Sequence, residues 1–261
     1  MTRSRPTAIV TGGKQGLGLG SALALADRGF NIVIVDLEPE SEISPSVLTS
    51  VSAKGVEVLY YQLDISDLSA HHALLDAVHD RFGRLDCLVN NAGIAARPLT
   101  DVLELGPEAF DRAVDINLRG TFFLTQAFAN RLLASPAIDN GYRSIIIVSS
   151  IAAEMVNTDR AQYCVTKSAL SMVTKLFAQR MGREGIFVHE IRPGFMQTPM
   201  IASAGNTPVD EWIADGRVPV PRWGQPEDVG VAIATLASGD MPYMTGQPLW
   251  VAGGLNLSPA P

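Results

Sequence analysis

Short apolar runs and helical patterns alternate along almost the whole chain of 261 residues. The apolar runs are rich in β-branched residues and lack the polar alternation of a half-exposed strand, which indicates strands that are covered on both faces. Strands of this kind alternating with helices predict an α/β fold, a doubly wound parallel sheet with helices on both faces. The seven predicted strands cover residues 7–11, 31–36, 56–64, 85–93, 144–150, 186–194 and 248–254.

The helical patterns between these strands are equally regular. They predict helices over 17–28, up to about residue 54, over 68–82, one or two within 107–133, over 161–181 and over 226–237. No low-complexity linker divides the chain, so residues 1–261 are expected to form a single domain with an ample core. The stretch 195–224 is irregular and rich in proline and glycine, which is typical of a lid or binding loop.

Composition argues against several classes of partner and site. The chain is 47% hydrophobic with a net charge of −7, which disfavours binding to nucleic acid or to an anionic membrane surface. It lacks an apolar run long enough to span a bilayer and a signal-type N-terminal segment, so the expected location is cytoplasmic. No metal-ligand spacing is present. Cys87 and Cys164 are predicted to be reduced thiols, and His71, His72 and His79 to be solvated.

A glycine-rich segment, VTGGKQGLGLG, joins the first predicted strand to the first helix. Gly12, Gly16 and Gly18 would form the turn, let a pyrophosphate approach the backbone and allow the helix to pack on the strand. The free N–H groups at the start of the helix would bind the phosphates. The spacing differs from the commoner Gly-x-Gly-x-x-Gly fingerprint, so the turn needs support from other residues.

That support comes from polar residues at the ends of the next strands. Asp36 ends the second strand, where a carboxylate accepts hydrogen bonds from the adenosine ribose of NAD and repels the 2′-phosphate of NADP. Leu37 follows it, so no basic residue stands there for that phosphate. Asp64, which ends the third strand, could face the adenine, and the sequence NNAG ends the fourth at 90–93. NAD is therefore the expected cofactor, although the flexible Lys14 would still permit some use of NADP.

A reactive group of side chains is predicted at the end of the fifth strand. Tyr163 and Lys167 lie four residues apart on a predicted helix and share one face, and Ser150 ends the strand before it. A nearby ammonium and a cationic nicotinamide would favour the phenolate of Tyr163, which would exchange a proton with the substrate oxygen. Ser150 would hold that oxygen, and Lys167 would also bind the nicotinamide ribose. Asn117 could hold a water that links Lys167 to solvent.

These motifs together make the chain resemble a classical short-chain dehydrogenase/reductase over essentially its whole length. Within that family it looks most similar to the bacterial 3-oxoacyl-acyl-carrier-protein reductase type. The matching residues are TGGKQGLG (11–18), Asp64, NNAG (90–93), Asn117, Ser150, YCVTK (163–167), RPG (192–194), Thr198, RWGQPEDV (222–229) and TGQPLWVAGG (245–254).

The resemblance implies a single-domain Rossmann-type fold, NAD or NADP as cofactor and usually a homotetramer. It implies that Thr198 binds the nicotinamide carboxamide and that 195–224 covers the substrate. One departure is Ala252, where related sequences often have an aspartate; this position is expected to lie far from the chemistry. The implied cofactor-binding residues are Gly12, Gln15, Gly16, Leu17, Gly18, Asp36, Leu37, Asp64, Ile65, Asn91, Ala92, Gly93, Tyr163, Lys167, Pro193, Gly194 and Thr198.

The sequence leaves the substrate open. The expected activity is NAD(P)-dependent interconversion of a secondary alcohol and a ketone, in a catabolic dehydrogenase of a sugar, a polyol or another hydroxyl substrate. The alternatives are a 3-oxoacyl-acyl-carrier-protein reductase and, in another class, a non-catalytic dinucleotide-binding regulator. An enzyme that receives an acidic carrier would need a basic patch, for which Arg97, Arg119, Arg160 and Arg222 are candidates. Arg160 either anchors an anionic substrate group or is a solvated residue in the first turn of its helix.

Overall fold

A single parallel sheet of seven strands organises the protein. The computed structural model describes residues 5–135, 141–202 and 209–257, with the backbone alone described at 201–202. The strand order is β3-β2-β1-β4-β5-β6-β7, and every adjacent pair is parallel, which confirms the predicted doubly wound fold. The strands are β1 (Thr7–Thr11), β2 (Asn31–Asp36), β3 (Val58–Gln62), β4 (Cys87–Asn90), β5 (Arg143–Val148), β6 (Ile186–Pro193) and β7 (Pro248–Val251).

Helices connect the strands and cover both faces of the sheet. The order of strands reverses between β1 and β4, and ligands of such folds bind at this switch point, beyond the carboxyl ends of the strands. The helices are α1 (Gly16–Asp27), α2 (Pro45–Ser52), α3 (His71–Phe82), α4 (Pro107–Ala113), α5 (Thr121–Ala134), α6 (Ala161–Met181), α7 (Pro199–Ala202), α8 (Val209–Ala214) and α9 (Pro226–Ala237).

Two hydrophobic cores lie on opposite faces of the sheet. Successive residues of a strand point to opposite faces, so in β1 Ala8 and Val10 enter one core while Ile9 enters the other. The first core includes residues of α1 and α9, and the second includes residues of α3, α5 and α6. Because both faces are covered, most positions in the strands are apolar, which explains their nearly continuous apolar runs.

The predicted elements agree with the structure in order and type but differ at their ends. The strand predicted over 56–64 is the five-residue β3, and that predicted over 248–254 is the four-residue β7. The helical stretch predicted over 107–133 consists of α4 and α5 joined by a π-helical segment, Val114–Gly120. Such segments are rare and occur often at functional sites.

Two predictions about polar segments require correction. His71, the first residue of α3, is buried rather than solvated. Its Nε2 lies 2.9 Å from the carbonyl oxygen of Ile65. His72 and His79 are exposed as predicted. In the region 195–224, where an irregular loop was expected, the structure has the short helices α7 and α8, and residues 203–208 lie outside the described part of the chain.

Candidate active site

The glycine turn between β1 and α1 brings the helix unusually close to the strand. Gly12 has a φ of +63°, in the left-handed region that favours glycine. A Cβ on Gly18 would lie 2.0 Å from the carbonyl oxygen of Gly12, so no other residue fits at position 18 without moving the backbone. The beginning of α1 therefore faces the space beyond the sheet with its N–H groups, as a phosphate site requires.

Asn91 fixes the end of β4 against this turn. Its Nδ2 donates to the carbonyl oxygens of Thr11 at 2.9 Å and Gly12 at 3.1 Å. The Thr11 hydroxyl oxygen accepts hydrogen bonds from the backbone N–H groups of Asn91 and Ala92, both at 3.0 Å. The NNAG motif thus holds two strand ends together at the switch point.

Two carboxylates lie at the end of β2. Asp36 accepts a hydrogen bond from the backbone N–H of Lys14 at 3.1 Å and another from that of Leu37 at 3.0 Å. Burial raises the pKa of Asp36, while these backbone donors oppose the rise. The ammonium of Lys14 forms an ion pair with Glu38, which lowers the pKa of that carboxyl. Sequence reasoning missed Glu38, although it is only two residues beyond Asp36.

Ser150, Tyr163 and Lys167 are brought together at the end of β5, as predicted. Ser150 follows the strand, and its hydroxyl oxygen accepts a hydrogen bond from the N–H of Ala152 at 3.1 Å. Tyr163 and Lys167 project from α6, and the Lys167 Nζ lies 5.6 Å from the centre of the Tyr163 ring. The same Nζ donates to the carbonyl oxygen of Val148 at 2.9 Å. All three side chains line one cleft.

The pKa of Tyr163 differs from the expectation. Burial raises it above its ordinary value of 10.0, and a hydrogen bond with Ser150 and the positive charge of Arg160 partly offset this rise. Arg160 is thus a second cation near Tyr163 that sequence reasoning did not place there, in addition to Lys167, whose Nζ lies against the Tyr163 ring. A protonated tyrosine at neutral pH is a proton donor, so in this environment the side chain is poised to give its proton to a substrate oxygen.

A buried ionic network lies behind Lys167. Burial lowers the pKa of Lys167 to about 8, and the charge of Glu190 opposes this. The Glu190 carboxylate accepts hydrogen bonds from Ser149 at 2.5 Å, Ser171 at 2.8 Å and Arg192 Nε at 2.6 Å. Because Ser149 precedes Ser150, the network fixes the end of β5 next to that side chain. The only signal in the sequence was a pair of charges in the apolar strand β6.

Asn117 lies in the π-helical segment and binds backbone. Its Oδ1 accepts a hydrogen bond from the N–H of Ile94 at 2.7 Å, and its Nδ2 donates to the carbonyl oxygen of Ile94 at 3.0 Å. A Cβ on Gly93 would be 3.0 Å from Asn117 Oδ1 and 3.7 Å from Lys167 Nζ, so Gly93 lies between the two side chains. The amide thus orders the segment after NNAG, and the water link to Lys167 stays a prediction.

A cleft of about 1070 Å³ runs along the carboxyl edge of the sheet. Every residue expected to bind the cofactor lines it except Gly18, which is buried in the turn, and among the four catalytic candidates only Asn117 is absent from its walls. The expected cofactor residues that line the cleft are Gly12, Gln15, Gly16, Leu17, Asp36, Leu37, Asp64, Ile65, Asn91, Ala92, Gly93, Tyr163, Lys167, Pro193, Gly194 and Thr198.

Described residues of the region 195–224, on both sides of 203–208, form one wall of this cleft. Its ends are joined by hydrogen bonds between Gln197 N–H and Gly224 O at 2.8 Å and between Gly224 N–H and Phe195 O at 3.0 Å. Phe195 and Trp212, whose ring centres are 5.3 Å apart, both line the cleft. Ala252 lies directly behind this wall, because a Cβ on Gly194 would be 2.7 Å from its Cα. Ala252 thus contacts a residue expected to bind the cofactor, although it is not itself among the residues that line the cleft.

The four candidate arginines do not form one patch. Arg97 and Arg160 line the cleft, whereas Arg119 and Arg222 do not. The Arg222 guanidinium donates two hydrogen bonds to Asp228, at 2.7 and 2.9 Å. Arg119 lies with its guanidinium carbon 5.9 Å from the centre of the Phe123 ring.

Neither a metal-binding cluster nor a membrane-spanning helix is found in the part of the chain that the structure describes. Within 5–135, 141–202 and 209–257, no group of three or more His, Cys, Asp or Glu side chains is arranged to hold a metal ion. Across those same ranges, no helix combines the length and apolar character that crossing a membrane requires. Cys87 is a buried free thiol and Cys164 a half-buried one.

Comparisons with known proteins agree with this site. Residues 12–256 match the family model described as enoyl-(acyl carrier protein) reductase. The chain is 32% identical over 257 residues to the 3-oxoacyl-[acyl-carrier-protein] reductase FabG of Staphylococcus aureus, covering 98% of this chain and 99% of that protein. A 3-oxoacyl-[acyl-carrier protein] reductase from Brucella melitensis, solved in complex with NAD, is 40% identical with a TM-score of 0.94, over 99% of this chain and 100% of that one.

The chain is also similar to a protein that is not named as a 3-oxoacyl reductase. A short-chain dehydrogenase/reductase from Sinorhizobium meliloti is 40% identical with a TM-score of 0.78, covering 97% of this chain and 98% of the other. The sheet topology, the glycine turn and the Ser150, Tyr163 and Lys167 group are thus found in a chain that matches this family over almost its full length. The protein belongs to the short-chain dehydrogenase/reductase family and is an oxidoreductase close to the FabG type.

Proposed function

We propose that this oxidoreductase uses NAD(H) to interconvert a 3-oxoacyl compound and the corresponding 3-hydroxyacyl compound. The observation that carries the proposal is the placement of Ser150, Tyr163 and Lys167 on the same cleft as the glycine turn and Asp36. The choice of substrate class rests on the relatives, because the FabG of Staphylococcus aureus and the Brucella melitensis protein are both named 3-oxoacyl reductases. These names favour the acyl alternative over the sugar or polyol dehydrogenase that the sequence first suggested.

The residues present fit a nicotinamide dinucleotide. The space in front of the turn depends on Gly18, where a Cβ would strike the backbone, and Asp36 offers a carboxylate at the edge of the cleft. When bound, the nicotinamide supplies or accepts the hydride. The protein supplies the rest: in reduction, Ser150 donates a hydrogen bond to the carbonyl oxygen, and Tyr163 gives it the proton that completes the alcohol. After Tyr163 has given up its proton, the positive charge of Lys167 stabilises the resulting phenolate.

The state of Tyr163 favours the reducing direction at neutral pH. Its pKa is raised by burial, so the hydroxyl is protonated and ready to donate. In the reverse direction the enzyme needs the phenolate, which becomes available only as the pH rises. We therefore expect oxidation of the alcohol to increase with pH, and reduction of the ketone to proceed at neutral pH.

The preference for NAD over NADP is supported by the charges at the end of β2. Asp36 and Glu38 are both carboxylates, and the one nearby ammonium, that of Lys14, is already paired with Glu38. A 2′-phosphate placed there would meet like charges, and Lys14 would have to leave its ion pair to compensate. This weakens the expectation that Lys14 could turn toward a 2′-phosphate.

The test of this preference is a pair of dissociation constants on two proteins. The wild type should bind NAD at least tenfold more tightly than NADP, and Asp36→Ala should lose affinity for NAD while gaining affinity for NADP. Glu184→Ala, an exposed carboxylate outside the cleft, is the control and should change neither constant. Tighter binding of NADP by the wild type would contradict the assignment.

The proposed substrate class is tested by a panel assay with NADH and NAD. Methyl 3-oxobutanoate, a 3-oxobutanoyl thioester and a set of sugars and polyols should be compared by the absorbance of the nicotinamide. We expect reduction of the 3-oxoacyl compounds and little oxidation of polyols. The opposite ranking would restore the catabolic dehydrogenase, and binding of NAD without turnover of any compound would favour the non-catalytic regulator.

A further inference from the structure

Arg160 is the most unusual charged residue of the cleft. It ends the 3₁₀ turn Thr158–Arg160 and precedes α6, three residues before Tyr163, and both side chains line the cleft. A cation at the N-terminus of a helix is opposed by the helix dipole, so this position does not serve the stability of α6. The charge is instead close enough to Tyr163 to offset part of the rise that burial causes in the pKa of its phenol.

The guanidinium of Arg160 is incompletely satisfied by the protein. Its Nε is buried and has no hydrogen-bond partner among the described residues. A buried donor that lacks a partner costs free energy, and an arginine fork is suited to a planar anion such as a carboxylate. Because the residue lines the cleft, a ligand bound there can supply the missing acceptor.

The other arginines of the cleft are differently placed. Arg97 donates from Nη2 to the carbonyl oxygen of Met200 at 2.7 Å. Arg112 is exposed on α4, where Glu108, Asp111 and Asp115 of the same helical stretch also line the cleft. The cleft that Arg160 lines also has apolar walls, which include Met155 and Val156 before it in the chain and Phe195 and Trp212 further along. Arg160 thus combines a cleft-facing position next to the acid/base candidate with a buried Nε that lacks a partner among the described residues.

We propose that Arg160 binds a carboxylate of the substrate, so that the protein acts on a free 3-oxo or 3-hydroxy acid. This inference rests on the proposed function and narrows it, because Arg160 lies three residues before Tyr163, lines the same cleft and is close enough for its charge to act on the Tyr163 phenol. An anion held by Arg160 is then only a few bonds from the carbon that Tyr163 serves. A thioester or an ester has no charge at this position and leaves Arg160 without its counterion.

The experiment compares 3-oxobutanoate with its methyl ester and its N-acetylcysteamine thioester, using NADH. The measured quantity is the ratio of kcat/KM for the acid to kcat/KM for each neutral compound. Because Arg160 also influences Tyr163, a change in Tyr163 would alter all three substrates alike and cancel in the ratio. The wild type should prefer the acid, and Arg160→Gln should lower the ratio by about 10- to 100-fold, mainly through KM.

Two further variants complete the design. Arg160→Lys keeps the charge without the fork and should retain part of the preference for the acid. Arg183→Gln removes an exposed arginine outside the cleft and should leave the ratio unchanged. NAD affinity and thermal midpoint, measured on each variant, show that the fold is intact.

The results of these assays distinguish failure of the carboxylate site from failure of the proposed oxidoreductase function. If all three compounds are reduced but the ratio is the same in the wild type and Arg160→Gln, the carboxylate site is refuted and the oxidoreductase activity stands. Preference of the wild type for the ester or thioester also refutes it. If none of the three compounds is reduced, the proposed function fails. Arg160 is then tested by calorimetric titration of 3-oxobutanoate into the NAD complex. Binding that Arg160→Gln leaves unchanged overturns the inference.

Discussion

At the scale of the residue, the chemistry depends on one hydroxyl in an otherwise fixed environment. Tyr163 interacts with Ser150 and with the charge of Arg160, and none of these contacts requires a change in the backbone when the hydroxyl is removed. Tyr163→Phe should therefore lower kcat by about 10²- to 10⁴-fold, the usual contribution of a general acid/base, while the dissociation constant of NAD stays the same. Steady-state kinetics and a cofactor titration on the same preparation measure both quantities.

The control for this substitution is Tyr243→Phe. Tyr243 is fully exposed, with a relative exposure of 105%, so the same loss of one hydroxyl should leave kcat unchanged. Full turnover in Tyr163→Phe would mean that another group delivers the proton.

At the scale of the element, the packing of α1 on β1 decides whether the phosphate site exists. A Cβ at position 18 would lie 2.0 Å from the backbone oxygen of Gly12, and neither backbone segment can move without disturbing the sheet or the helix. Gly18→Ala should therefore lower the free energy of unfolding by about 1–3 kcal/mol through overpacking, and it should weaken NAD binding. Urea unfolding and a cofactor titration provide the two measurements.

Gly182→Ala is a matched control for the same change of residue. Gly182 follows α6 with helical dihedral angles, and a Cβ there would meet nothing within 4 Å. The added methyl group restricts the unfolded chain, so this variant should be as stable as the wild type or up to about 1 kcal/mol more stable. Equal destabilisation of the two variants would contradict the role given to the contact at Gly18.

At the scale of the whole molecule, burial of polar groups makes stability depend on pH. His189 in the central strand β6 is 0% exposed, its Nε2 lies 3.3 Å from the Tyr142 hydroxyl, and burial lowers its pKa to about 4. The unfolded chain takes up this proton near pH 6.5 and the folded chain only near pH 4, so the folded state loses stability as the pH falls through this window. Between pH 7.5 and pH 5 the loss from His189 should be about 2 kcal/mol.

This dependence is checked with two histidine variants. His189→Asn removes the titrating group. Between pH 7.5 and pH 5, the free energy of unfolding of this variant should therefore fall less than that of the wild type, whatever its absolute value. His72→Asn, at an exposed position, should keep the wild-type dependence. An unchanged dependence in His189→Asn would show that burial of this histidine does not control stability in acid.

The order and type of the elements and most of the walls of the cleft could be predicted from the sequence, for local reasons. Continuous apolar, β-branched runs such as NIVIVD are typical of strands covered on both faces, and Tyr163 and Lys167 share a helical face because of their spacing. Predictions failed where an environment is assembled from distant segments. His71 has a polar sequence context, yet it is buried, and the backbone of Phe123 in the distant helix α5 is one of its hydrogen-bond partners.

The properties that govern reactivity were likewise decided only by tertiary structure. Burial raises the pKa of Tyr163 against the opposing charge of Arg160, and the ammonium of Lys14 pairs with Glu38 beyond the end of β2. Ala252, which follows β7, contacts Gly194, which follows β6. Sequence spacing reports which side chains share an element, because helix and strand periods are fixed by the backbone. Electrostatics and burial depend instead on distances between elements, which exist only once the sheet has formed and the helices have packed on it.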